Sequence, residues 1–204
     1  KMFVLTNIFR DQLDRYGEIY TTYQKILDGI ELDPSATVIS NGDEPIFNSV
    51  ELPNPQIYYG FENQPASGNF KAHANTDGII CPICHHILHY HYLIYANLGD
   101  YFCPNCGYHR PELKYKVTSV ENQTPVESKF DIDNHQYQIS VGGTYNIYNA
   151  LAAYAVGREL GVTPEQIKHS FDANERIFGR QEEIHIGDKD VTIILVKNPV
   201  GTNQ

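Results

Sequence analysis

Two Cys-Pro-x-Cys pairs, Cys81 with Cys84 and Cys103 with Cys106, lie 18 residues apart in a 204-residue chain that has no other cysteine. Each short pair turns two sulfurs toward one point, and an intervening hairpin brings the two turns together. C-x2-C-x18-C-x2-C therefore fits a four-thiolate zinc site. Gly107 follows the second pair and can take the positive φ that lets backbone amides face sulfur. His85 holds the matching place after the first pair, and histidine enters that region more readily than most side chains. Four cysteines close a tetrahedral shell, whereas catalytic zinc keeps an open position, so the expected role is structural. His85, His86, His89 and His91 compete as ligands, but the chain has nine histidines, and solvated or hairpin-packing positions account for them. A redox dithiol is the alternative; a disulfide framework fits two such pairs without a signal peptide less well. A ribbon this small buries little apolar surface, so ion binding, worth ~10 kcal/mol in such modules, is expected to fold it. Chelation is then expected to melt residues 79–110 and spare the rest, with Tyr92 and Tyr95 on the exposed ribbon surface.

The flanking sequence has a different character. "MFVLTN" (2–7) is a short apolar run that delivers Asn7 to a strand end. Ile19, Tyr23, Ile26, Leu27 and Ile30 recur at helical spacing, with Gly29 near the end of that helix. "ATVIS" (36–40) and "QIYYGF" (56–61) are the next predicted strands, the first closed by the turn "NGDEP". After the cysteines, "KFDIDNHQYQISV" (129–141) alternates around "DNHQ" as an antiparallel hairpin does. "YNIYNALAAYAVGRELG" (145–161) is an Ala-rich helix that Gly161 is placed to end. "TPEQ" starts another, with Thr163 as N-cap, Pro164 at the first position and Gln166 completing a capping box. "EEIHIGDKDVTIILV" (182–196) is predicted as two strands around a Gly-Asp turn. There is no internal repeat. This alternation predicts an α/β domain interrupted by an insertion.

Charge narrows the function. Fifteen basic residues face 25 acidic ones, giving a formal net charge of −10. Filling the thiolate site takes that to roughly −12, so counterion release offers no purchase on DNA or RNA. No apolar run approaches the roughly 20 residues that span a bilayer, and there is no secretory pattern, so the protein is expected to be soluble and not integral to a membrane. Both "KMFVLTN" and "LVKNPVGTNQ" look like domain interior, as in the middle of a longer protein.

Four polar stretches fall at predicted strand ends or helix starts: "TNIFRDQLDRYG" (6–17), "GGTYNIYNALAA" (142–153), "FGRQEE" (178–183) and "VKNPVGTNQ" (196–204). Ligand sites of open α/β sheets form where such edges converge. Taken singly, Asn7 and Asp11 have an alternative as helix caps, Asn146 as the cap of the Ala-rich helix, and Arg180 in a surface ion pair. Together they resemble the Mur ligases, ATP-dependent enzymes that activate a carboxylate as an acyl phosphate and join it to an amine. "NIFRDQLDRYG" is similar to that family's Asn-x-x-x-Asp-His-Leu-Asp-x-x-Gly element and "NGDEP" to its Asn-x-Asp-Asp turn. "YNIYNALAA" is similar to its His-Asn-x-x-Asn-Ala-Leu-Ala-Ala helix, "GRQE" to Gly-Arg-x-Glu, and "VKNP" to the opening of the C-terminal domain.

The resemblance implies a Mur ligase central-domain-like mixed α/β sheet with flanking helices and an inserted four-cysteine zinc ribbon. Its first part would span residues 1–78, the ribbon 79–115, the second part 116–187, and the start of a C-terminal domain 188–204. It implies ATP and Mg2+ alongside structural Zn2+. Asn149 would contact adenine and Arg180 the nucleotide, Asn146 would support the helix start, and Asn7 and Asp11 would line the phosphate and metal side, with Lys197 near the hinge. The insertion, with "FRDQLDRYGE" and "KNPVG", is similar to an amide-forming branch of the family. That branch would use ammonia from a GatD-like glutaminase subunit on the D-glutamate α-carboxylate of lipid II, in the cytoplasm at the inner face of the membrane. Three residues depart from the pattern. Gln12 and Tyr145 stand where the family has histidines, and Ile26 stands where it has a carbamylated lysine, Lys25 being one residue short. No G-x-x-x-x-G-K-[ST] phosphate loop occurs in these residues, so this piece alone is expected not to hydrolyse ATP. The alternative from another class is a non-catalytic zinc-ribbon adaptor. For the ribbon itself, two roles are open: positioning a lipid-linked substrate, or bracing the domain.

Overall fold

The computed structural model describes residues 1–9, 17–62, 70–71, 79–173 and 181–194. In chain order its elements are β1 (Met2–Leu5), α1 (Ile19–Glu31), β2 (Thr37–Asn41), a 3-10 turn (Pro45–Asn48), β3 (Gln56–Phe61), β4 (Phe70–Lys71), β5 (His89–Tyr95), β6 (Leu98–Phe102), β7 (Tyr115–Thr124), β8 (Glu127–Ile132), β9 (His135–Ile139), α2 (Thr144–Glu159), α3 (Pro164–Asp172), β10 (Gln181–Ile186) and β11 (Lys189–Ile194). The main sheet has the order β1-β2-β3-β7-β8-β9. Its first four strands are parallel, and β7, β8 and β9 continue it as an antiparallel meander. This is the mixed sheet expected.

Period-two alternation sends successive residues of β2 into opposite layers. Val38 joins Leu5, Tyr23, Leu27 and Ile30 beneath α1, whereas Ile39 joins Tyr59, Phe61, Val117, Phe130 and the buried face of α2. Helix α2 carries small and large residues so that Ile147, Tyr148, Leu151, Tyr154 and Ala155 all face inward. Asp133 and Asn134 both take positive φ in the β8–β9 turn, the geometry a two-residue hairpin needs. Gly161 ends α2 at φ 83, and the Thr163–Gln166 capping box starts α3, both as the sequence predicts. Two strands fall outside the elements that the sequence predicts, the two-residue β4 and β7. β7 follows the ribbon directly and carries the junction between the parallel and antiparallel halves. The β10–β11 hairpin turns at Gly187.

Candidate functional site: a metal ribbon against a polar sheet edge

The four cysteines come together as predicted. Their sulfurs all lie within 4.8 Å of one another, with Cys81 and Cys106 3.6 Å apart and Cys84 and Cys103 3.4 Å apart. A tetrahedral ion with metal–sulfur distances of roughly 2.3 Å sets sulfurs ~3.8 Å apart, so the cluster fits zinc without rearrangement of the backbone. The two knuckles are built alike. The Cys81 amide donates to the His86 carbonyl and the His85 amide to that of Cys81; likewise Cys103 donates to Tyr108 and Gly107 to Cys103. His85 at φ 62 and Gly107 at φ 78 take the left-handed conformation that each turn requires.

Electrostatics also call for a cation. The His86 backbone amide, and then the Asn105 side chain, pull the Cys84 thiol down to about 5. At Cys106 the Tyr108 amide favours the thiolate, but desolvation and the other three sulfurs outweigh it and push the thiol up to about 12. Burial raises Cys81. Like charges this close oppose one another, and a positive ion at their centre would relieve that repulsion. Among the described residues the histidines stay outside the cluster. His85, His86 and His109 are exposed, and His91 stacks on Phe102 with centroids 4.5 Å apart.

The ribbon is not a free appendage. Leu88, Tyr90 and Tyr101 form its own small core with the cysteines, but Leu98 belongs to the main core beneath α2. Tyr92, expected on the surface, is 2% exposed, and its hydroxyl donates to the Phe61 carbonyl at 2.7 Å. Tyr95 is half-buried edge-to-face on Phe9, with centroids 5.9 Å apart. Both expectations of exposure fail because β5 packs against the domain, and its register shifts between Tyr90 and Leu93 and between Leu93 and Tyr95 let two tyrosines three residues apart both find partners there.

The "NGDEP" turn grips the ribbon. Asn97 donates to Glu44 at 3.0 Å, the Tyr108 hydroxyl bonds the Pro45 carbonyl, and the Gly99 amide donates to the Asp43 carbonyl at 3.2 Å. Asp43 is fully buried. Its Oδ1 accepts from Arg110 Nη1 at 2.8 Å, and its Oδ2 accepts from the Phe61 amide and the Tyr148 hydroxyl, both at 2.8 Å. Burial pushes this carboxyl up, opposed first by Arg110 and then by the other two donors. Arg110 can only donate, so the pair is a carboxylate and a guanidinium. The guanidinium also reaches the Phe61 carbonyl at 2.8 Å and Asp100 at 3.2 Å, and it lies 5.4 Å over the Tyr92 ring.

This turn sits at the C-terminal ends of the parallel strands. Asn41 donates to the Thr6 carbonyl at 3.0 Å and Tyr59 to that of Leu5 at 3.1 Å, which fixes the exit of β1 where Asn7 stands exposed. Asn7 does not cap α1, whose N-cap is Glu18. Asn146 is not the N-cap of α2 either. Gly143 holds that place, and Asn146 instead donates to the Gly142 carbonyl at 2.6 Å, while exposed Asn149 approaches its side chain at 3.5 Å. Asn146 and Asn149 are thus brought together on the first turns of α2. Asp11, Arg180 and Lys197 lie outside the described residues.

No family model matches the chain. Relatives do. Over 203 residues it is 53% identical to the MurT subunit of the glutamine-hydrolysing lipid II isoglutaminyl synthase of Streptococcus pneumoniae, an alignment that covers 100% of this chain and 45% of that one. The chain is a MurT relative. A MurT subunit from Staphylococcus aureus is 34% identical over 203 residues, with 99% of this chain and 45% of the relative covered. The chain thus spans less than half the length of these MurT subunits. Among solved structures, a pseudomurein peptide ligase type C from Methanothermus fervidus superposes with a TM-score of 0.75 at 27% identity, covering 98% of this chain and 39% of the other. MurF from Acinetobacter baumannii superposes at 0.59 with 14% identity over 93% of this chain and 32% of its own, a likeness of fold alone. The Mur ligase-like α/β fold expected from the motifs is the fold observed. No helix among the described residues is long and apolar enough to cross a membrane.

Proposed function

We propose that this chain contributes the central part of an ATP-dependent amide ligase that converts the D-glutamate α-carboxylate of lipid II to isoglutamine. The observation that carries the reading is 53% identity to a MurT subunit along the whole of this chain, including the start of α2 where Asn146 and Asn149 meet. A carboxylate is a poor acyl donor until one oxygen becomes a leaving group. In the proposed reaction that oxygen takes the γ-phosphoryl of ATP and releases ADP; ammonia then adds to the acyl carbon and phosphate departs. A GatD-like glutaminase would supply the ammonia. Because ATP is the co-substrate, the reaction belongs on the cytoplasmic face of the membrane that holds the lipid.

Within this scheme Asn149 contacts adenine and Asn146 holds the helix start, while Asn7 and Asp11 line the phosphate and Mg2+ side. Arg180 and Lys197 complete the nucleotide contacts. Zn2+ in the cysteine shell supplies structure only, since four thiolates leave it no open position. The test is ATP consumption by the full-length parent chain with ammonium, with and without lipid II. Turnover that requires both supports the ligase. Full metal occupancy without turnover under any condition favours the adaptor instead.

A further inference from the structure

Arg110 lies four residues beyond Cys106, and its amide donates to the Tyr101 carbonyl inside the ribbon. Its guanidinium spans the boundary: on the ribbon side it meets Asp100 and the Tyr92 ring, and on the domain side Asp43 accepts from it on one oxygen and from Tyr148 on the other. Tyr148 is fixed a second time by its ring, which packs 4.5 Å from that of Phe61. It immediately precedes Asn149 and shares the first two turns of α2 with Asn146. A continuous run of polar contacts, buried at Asp43 and Tyr148, thus joins the backbone beside the second cysteine knuckle to the helix start. Polar groups buried this deeply hold one geometry because losing any partner strands the rest.

We infer that Arg110 is a positioning residue: through Asp43 and Tyr148 it transmits the folded state of the metal knuckle to α2 and so sets where Asn146 and Asn149 are presented. The ribbon is then a brace for the helix, and ion loss loosens that helix without touching any residue of the site. The role toward nucleotide rests on the function proposed above; the mechanical link between ribbon and helix does not.

The experiment uses the full-length parent chain with its glutaminase partner and compares Arg110→Met, Arg110→Lys and Tyr148→Phe. For Arg110→Met, the bound metal stays at the parent level because the thiolate shell is intact. Amide exchange at residues 144–149 rises about tenfold or more while that of 164–172 is unchanged. The KM for ATP rises about tenfold and kcat changes less than about threefold, the mark of lost positioning in binding rather than lost chemistry. Arg110→Lys, which keeps a charge facing Asp43, recovers part of both effects. Tyr148→Phe, which removes one hydroxyl and keeps the ring, gives a smaller rise of about threefold in exchange and KM. Unchanged exchange and KM in a metal-loaded Arg110→Met protein would overturn the inference. If Arg110→Met does not fold or loses its metal, unchanged values in Tyr148→Phe overturn it equally. Should the parent show no ATP turnover, the proposed function falls, and exchange at 144–149 alone decides the link.

Discussion

Replacing Asp43 by asparagine keeps shape and volume but removes the one carboxylate that neutralises Arg110 inside the domain. Asp43 has no exposed surface, and the Arg110 side chain is 14% exposed. Removing one member of a buried ion pair typically costs ~3–5 kcal/mol because the other charge is left uncompensated. Here the lower end applies, since Asp100 stands 3.2 Å from Nε and is itself 26% exposed, so it retains a part of the neutralisation. For a domain of this size each kcal/mol shifts the melting temperature by roughly 2–4 °C, so Asp43→Asn is expected to melt about 6–12 °C below the parent. The second arm is Asp43→Asn with Arg110→Met, in which no charge is stranded; it recovers at least half of the loss, a non-additivity characteristic of groups in direct contact. Thermal unfolding in the metal-loaded state, followed by circular dichroism, measures both. A single substitution within about 1 kcal/mol of the parent, or a double variant that is simply additive, would show that Asp43 and Arg110 are not energetically coupled.

Gly142→Ala tests the start of α2: a Cβ there would meet the Thr124 carbonyl oxygen at 2.0 Å and Pro125 at 2.6 Å, both backbone. The helix start must shift, and a loss of ~2 kcal/mol or more is expected, against less than half of that for exposed Asn149→Ala in the same melting assay. Chelation is expected to raise amide exchange at Leu88 and Tyr101 but to leave Leu98 protected, because that side chain sits in the main core; equal loss across β7, β8 and β9 would refute this. Asp33 is held down to about 2 by the Ser35 hydroxyl and Lys1 ammonium. Its folded value lies below the ordinary 3.8, so its contribution is present above that range and disappears as pH falls toward 2. The melting difference between parent and Asp33→Asn should therefore narrow from pH 6 to pH 3, and a constant difference would count against the contact.

Local chemistry was legible and long-range pairing was not. Both cysteine knuckles, down to the left-handed His85 and Gly107, follow from spacing and backbone sterics, and the Thr163 capping box follows from four letters of sequence. α1 and most strands announce themselves by period, α2 by its alanines and closing Gly161, and α3 by its capping box. β7 did not, because "YKVTSVENQT" alternates only over its first half, shifts register against β8 between Val117 and Ser119 and between Val120 and Asn122, and is polar thereafter. Asp43 passed as part of a family turn, with nothing to reveal that its partners were Arg110 and Tyr148, 67 and 105 residues away. Tyr92 and Tyr95 were misplaced for the same reason: tyrosine suits a surface or a core, and only the packing of β5 against the domain decides which.

The ribbon occupies the connection between β3 and β7, which are parallel neighbours in the sheet. Parallel neighbours cannot be joined by a tight turn, and in most α/β domains a helix makes that crossing. Here residues 62–114 make it, with a cysteine clasp partway along. Until the clasp shuts, pairing β3 with β7 means closing a long floppy loop; once it shuts, the same pairing closes a shorter one. Availability of the ion thereby becomes a matter of timing as well as of stability. A chain that captures the ion early would reach its sheet by a shorter route, and one that captures none would pair β3 with β7 more slowly, leaving the edge of β7 open to other chains for longer.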